Sequence, residues 1–169
     1  MLYRTILVHL NDERRAARLL DAVENIAAKS KAHLIGLYVV PPVPTFGATT
    51  MGAGIIKSGL ATFREEAHRV QAAFEEACRN RPFVAEWRMV EPHHKDVADV
   101  VLDHGHAADL IIAGQRDRSW EFSSLLDAPE RLAIESGRPL LVVPHTGRFP
   151  TIGSRVTIAW NGRREVARA

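Results

Sequence analysis

Ala108-Asp-Leu-Ile-Ile-Ala-Gly114 (ADLIIAG) is the stretch on which the fold turns. Its apolar centre, Leu110–Ala113, has no alternating polar residue, so a strand formed there is covered on both faces, as the central strands of parallel sheets are. Four further apolar, β-rich runs lie outward from it: Thr5–Leu10, Leu34–Val40, Phe83–Val90 and Leu140–Val143. Amphipathic stretches separate them. Ala16, Leu19, Leu20, Val23, Ile26 and Ala27 form one helical stripe, and Ile56, Leu60, Phe63, Ala67, Val70, Phe74 and Ala77 form a second. A third helix carries Val97, Val100 and Val101, and a fourth runs from about Pro129 to Ser136, where Gly137 ends it. Strands alternating with helices demand a mainly parallel sheet with crossover helices.

The strands also sort by position. Phe83, Ala85, Trp87 and Met89 alternate with residues that include Glu86 and Arg88, which suits an edge strand. A doubly wound α/β fold with a five-stranded parallel sheet of order 3-2-1-4-5 and helices on both faces places the third strand there. Its topological switch then falls between strands one and four, where such sheets bind ligands. The loops that line this crevice are His9–Glu13 and Gly114–Leu126. The Pro-, Gly- and Thr-rich segment Pro41–Gly54 reads as a long mobile loop near the same end of the sheet, either a lid or a plain connection.

Composition narrows the function classes. The chain has 169 residues, enough for a complete core, with 46% hydrophobic and 25% charged residues. No apolar run approaches a membrane span, and MLYRTILVHL lacks the features of a secretory signal, so a cytoplasmic location is expected. The net charge of +2 is interleaved rather than striped, which argues against a nucleic-acid partner. Cys78, the single cysteine, allows no internal disulfide and reads as a packing residue.

Ile6–Arg18 aligns with Val156–Arg168, 150 residues further on, pairing Asn11 with Asn161 and Arg14, Ala17 and Arg18 with Arg164, Ala167 and Arg168. Such self-similarity suggests a duplicated unit, of which Val156–Trp160 is the first strand and Ala169 falls inside the first helix. The expectation is a chain truncated from a tandem protein, with the stray strand pairing onto a sheet edge of its own or of a neighbouring chain. A terminal or swapped sixth strand is the alternative.

TILVHLND (5–12), ADLIIAG (108–114) and SGRPLLVVP (136–144), in this order and spacing, resemble the universal stress protein family over nearly all of residues 1–145. The resemblance implies a family-like domain over 1–145, a linker over 146–154 and the start of a second copy over 155–169. It further implies a cytoplasmic stress-response protein that associates through its last strand, as a homodimer or between tandem halves. Some members of the family bind ATP or AMP and others do not.

The nucleotide-binding members carry Gly, two residues, Gly, nine residues, then Gly and Ser or Thr after strand four. Glycines let backbone N–H groups approach phosphates, and the helix that follows favours anions. This sequence keeps Gly114, but Asp117 stands at the second position and Asp127–Ala128 at the last pair. A carboxylate about 4 Å from a phosphate costs roughly 4 kcal/mol at an effective dielectric near 20. Asp127-Ala-Pro-Glu130 itself reads as a capping box with proline in the first turn, which would occupy the helix end. The family's adenine-side Asp aligns with Asn11, and its contact at the end of strand two aligns with Val39, which suits a core as well as an adenine. Arg116 and Arg118 either hold phosphates in place of the lost glycines, pair with Asp117 and nearby acids, or simply face water. Trp120 and Phe122 in the same loop suggest a filled pocket or a partner contact rather than an open cleft.

These eight positions, Asn11, Val39, Gly114, Arg116, Asp117, Arg118, Asp127 and Ala128, are the candidate nucleotide contacts. No metal site is expected from His93, His94, Asp96, His104 and His106, whose spacing fits no ligand pattern. His9 lies near the crevice but lacks a nucleophile motif to serve, so it reads as a satisfied packing residue. The leading expectation is a non-catalytic stress-response protein with a degenerate ATP motif, acting through dimerisation or protein contacts. An ATP- or AMP-binding regulatory domain with a variant site is the second reading, and a nucleotide hydrolase or transferase of related fold the third.

Overall fold

The computed structural model of the chain describes residues 3–42, 50–92, 94–147, 149 and 151–159, the side chains of residues 25 and 50–58 aside. Its elements run β1 (Thr5–His9), α1 (Glu13–Ser30), β2 (His33–Val39), α2 (Thr50–Cys78), β3 (Val84–Val90), α3 (Val97–Gly105), β4 (Leu110–Gly114), α4 (Ser123–Leu126), α5 (Pro129–Glu135) and β5 (Leu140–Val143). The strands form one parallel five-stranded sheet of order β3-β2-β1-β4-β5, as the apolar pattern requires.

Local chemistry sets the boundaries. Asp12 caps α1, its carboxylate accepting from the Arg14 amide at 2.6 Å, and Lys31 at φ 48° ends the helix in the left-handed region. The Asp109 carboxylate accepts from the amides of Arg4 and Thr5 at 2.8 and 3.0 Å, tying the start of β1 to the start of β4. Central β1 and β4 bury Ile6, Leu7, Val8, Ile111 and Ile112 completely, whereas Val84 and Met89 on β3 are exposed. The edge assignment of the third strand therefore holds. A right-handed crossover places α1 and α2 on one face and α3 to α5 on the other.

Three expectations change. Helix α2 begins at Thr50, so the segment predicted as loop over Pro41–Gly54 is helical at its end, while residues 43–49 lie outside the described residues. The four-residue α4 had no periodic signal and was not anticipated. Residues 151–159 form no strand within this chain, and Val156 and Ile158 are 75% and 70% exposed. Their predicted pairing with the chain's own sheet edge is thus absent among the described residues, the sheet having only its five strands there. Trp160 and the residues after it lie outside the described residues.

Gly36 on β2 shows how tightly the α2 face is filled. A Cβ there would lie 2.7 Å from Phe74, which is 1% exposed, and 3.0 Å from Trp87, whose ring sits 5.5 Å from that of Phe74. Gly36→Ala is expected to destabilise the protein by about 1–3 kcal/mol through overpacking, read as a lower urea midpoint with an unchanged slope.

Candidate functional site: a crevice closed by its own side chains

The C-terminal ends of β1 and β4 deliver His9 and Gly114 to the switch point, and the segments that follow them meet there. Asn11 follows β1, Arg15 lies in the first turn of α1, and Asp127 joins α4 to α5. All three are buried, at 2%, 9% and 4% exposure. The Arg15 guanidinium grips the Asp127 carboxylate in a fork, Nη2 at 2.8 Å from one oxygen and Nη1 at 3.2 Å from the other. Asn11 completes the knot. Its amide nitrogen donates to Asp127 at 2.9 Å and to the Leu126 carbonyl at 3.1 Å, while its oxygen accepts from Arg15 at 3.2 Å. The backbone N–H of Asp117 donates to the second Asp127 oxygen at 3.2 Å. Above them the Trp120 ring covers the guanidinium, whose carbon lies 3.9 Å from the ring centroid, and Trp120 meets Phe122 edge-on.

This arrangement corrects the capping box. The cap position of α5 is Ala128, which has no side-chain cap, and Asp127 turns inward to Arg15 instead. A buried guanidinium demands a carboxylate more strongly than a helix end does, because an unpaired buried charge is far costlier than an unmet amide. Glu130, cast as the returning acid, pairs with Arg116 at 3.2 Å. The repulsion argument changes with it. Asp127 does not present a naked charge to a phosphate, since Arg15 already neutralises it.

The other candidate contacts are spread out. Val39 is fully buried within the core cluster, and Gly114 ends β4 with open space where a Cβ would stand, so no close approach requires glycine there. Arg116 also donates to the Asp127 carbonyl at 2.8 Å, Arg118 is exposed, and the Asp117 carboxylate accepts from the Ser119 hydroxyl and amide at 2.6 and 3.0 Å. These two hydrogen bonds hold the Asp117 carboxyl below its ordinary range. The structure therefore brings together Asn11, Asp127 and the Asp117 backbone but turns Arg116 to Glu130 and Val39 into the core.

Arg15 is the residue that sequence reasoning missed. Its signal was present: counting back from Leu19 by one turn puts position 15 in line with the buried stripe, where an arginine must find a partner. His9 was misjudged too. It is buried beside this pair with its Nε2 unpartnered, so it is packed but not satisfied.

A five-stranded parallel sheet with its topological switch between β1 and β4 defines a doubly wound α/β domain of the flavodoxin-like type. The sequence matches the model of the universal stress protein family over residues 2–144, and the chain belongs to that family. Among solved structures it resembles a universal stress family protein from Burkholderia pseudomallei, at 26% identity over 84% of this chain and 96% of that one, with a TM-score of 0.55. A universal stress protein described as in complex with cAMP matches at 26% identity over 85% and 98%, TM-score 0.51. The fold is likewise that of UspA from Lactobacillus plantarum, 17% identical over 85% and 99%, TM-score 0.64. A search of curated proteins finds no match. Among the described residues no helix is long and apolar enough to cross a membrane.

Two outcomes follow from the buried charges. Asp127→Ala is expected to cost about 3–5 kcal/mol by stranding Arg15, whereas Arg15→Met with Asp127→Leu recovers most of that loss in a urea-denaturation cycle. Burial lowers the His9 pKa from 6.5 to about 4, with Asp127 opposing and Arg15 reinforcing the shift. The unfolded chain then binds the extra proton first, so His9 supports stability above pH 6.5 and that support drains away as pH falls towards 4. A shift of this size corresponds to about 3 kcal/mol. His9→Leu should flatten the decline in unfolding free energy across that window while leaving stability at pH 8 near the parent value.

Proposed function

We propose that this chain is a non-catalytic, cytoplasmic stress-response domain that acts through protein contacts and whose crevice takes neither ATP nor AMP. The observation that carries this reading is the Arg15 guanidinium, held by Asp127 and Asn11 beneath Trp120 where the fold would otherwise admit a nucleotide. Phosphates entering there would have to break a buried, forked ion pair before gaining any contact of their own. Association is assigned to the outer edge of β5, which pairs with β4 on one side and carries Val142, 39% exposed, on the other part of its surface. An unpaired parallel-sheet edge is a template for a second strand, in a homodimer or with a second copy in the same polypeptide.

The second reading, a regulatory nucleotide site of altered chemistry, draws on the 26%-identical relative described as in complex with cAMP. In support, Arg116 and Arg118 line a cavity of about 480 Å³ with Ser119, Ser123 and Ser124.

Amide-resolved NMR separates the two. Adding ATP with Mg²⁺ is expected to leave the signals of Asn11, Leu126, Asp127 and Ala128 in place; saturable shifts at all four would overturn the closed-crevice reading. For the association, sedimentation of the full chain should show a concentration-dependent dimer that Val142→Lys weakens at least tenfold. A parent chain that stays monomeric at 0.1 mM, on the order of ordinary weak dimer constants, would remove that assignment.

A further inference from the structure

The segment Gln115–Leu126 carries the serines Ser119, Ser123 and Ser124, and they differ in what can reach them. Ser123 is buried at 4% exposure, and Ser124 is tied into the helical turn of α4. Ser119 is exposed, in a stretch that belongs to no helix or strand. The backbone bonds nearest to it run from the Trp120 amide to the Asp117 carbonyl and from the Ser123 amide to the Trp120 carbonyl, both at 3.0 Å. A loop held by so few exposed bonds opens locally without unfolding the domain.

The surroundings of Ser119 are basic in a fixed pattern. Arg116 stands three residues before it, Arg118 one before, and Trp120 follows. Guanidinium groups at set distances from a hydroxyl are read by carboxylates in a fork, and such charge patterns select the substrates of protein kinases. Both arginines are within reach. Arg118 is exposed and holds no ion pair among the described residues. Arg116 donates to the Asp127 carbonyl at 2.8 Å and pairs with Glu130, itself 61% exposed, in a contact of the weak surface class.

We propose that Ser119 is a phosphoacceptor for a protein kinase that reads arginines, and that its phosphate lifts Trp120 off Arg15. In the transfer Ser119 Oγ bonds to the γ-phosphorus of a nucleoside triphosphate as the bond to the bridging oxygen breaks. The nucleoside diphosphate leaves, and the hydroxyl proton passes to the kinase's general base. The structural consequence runs through Asp117. Its carboxylate accepts from the Ser119 hydroxyl at 2.6 Å and from the Ser119 amide at 3.0 Å, and this turn presents Trp120 to Arg15. A phosphoserine has no such hydroxyl to donate and brings about −1.5 to −2 charges beside the carboxylate near pH 7. Repulsion opens the turn. Arg116 and Arg118, which line one cavity with Ser119, draw the phosphate to the outer side of the loop, away from the Arg15–Asp127 pair. Trp120, one residue on, moves with it.

Incubating the full chain with an arginine-directed serine kinase, ATP and Mg²⁺ tests this, followed by peptide mass spectrometry. Label is expected on Ser119, lost in Ser119→Ala, kept in Ser124→Ala and slowed at least tenfold in Arg116→Gln; unchanged melting temperatures show that the variants fold. After removal of ATP, the indole N–H signal of Trp120 should shift in the NMR spectrum while that of Trp87 stays in place. The readout is therefore independent of whether the crevice admits a nucleotide. The same phosphopeptide is expected in chain purified from its native host. Label that survives in Ser119→Ala, a Trp120 signal unmoved by phosphorylation, or host chain with Ser119 unmodified under growth and stress alike would each overturn the proposal.

Discussion

A guanidinium buried at the mouth of a parallel sheet is the constraint around which the rest of this structure is arranged. Taking Arg15 out of water is costly unless a carboxylate meets it in a fork and the remaining lone pairs are filled. Asp127 supplies the fork, and Asn11, together with the Asp117 amide, fills what is left. The consequence reaches outward. To place Asp127 there the chain makes the short turn of α4, starts α5 without a side-chain cap, and lays Trp120 over the pair as a lid.

The same geometry explains how a fold suited to anions is closed without becoming hostile to charge. At the β1/β4 switch a doubly wound sheet gathers loop amides and helix ends that welcome phosphates. Here that welcome is consumed internally, one cation and one anion satisfying each other where a ligand would. His9, buried beside this pair, stays neutral far below its usual range because burial disfavours its charged form, with Asp127 opposing the shift and Arg15 adding to it. Family membership alone therefore does not fix what the site does, because sites are grafted on shared folds.

Almost all of the architecture was legible in the sequence. Leu110–Ala113 announced a central strand because it has no polar face, and Phe83–Val90 announced an edge because it alternates; both are direct consequences of which surfaces water touches. The site was legible only in part. Asp117 and Asp127 stood out as departures from a glycine pattern, but local reading gave Asp127 to its own helix, since Asp-x-x-Glu is a cap in isolation. The partner that overrode this lies 112 residues away, and a contact at such separation leaves no mark on local spacing. Arg15 left a faint one, a charge in register with an apolar stripe. Residues 50–54 misled for the opposite reason: glycine and threonine weaken a helix by themselves, yet α2 extends through them.

A crystal structure of the full chain grown with ATP and Mg²⁺ bears most directly on the closed crevice. The account predicts that Arg15 still holds Asp127 at the 2.8 and 3.2 Å separations seen here, with no triphosphate density between Asn11 and Ala128. Phosphates lying against the α5 N-terminus, with Arg15 swung out of its fork, would contradict it.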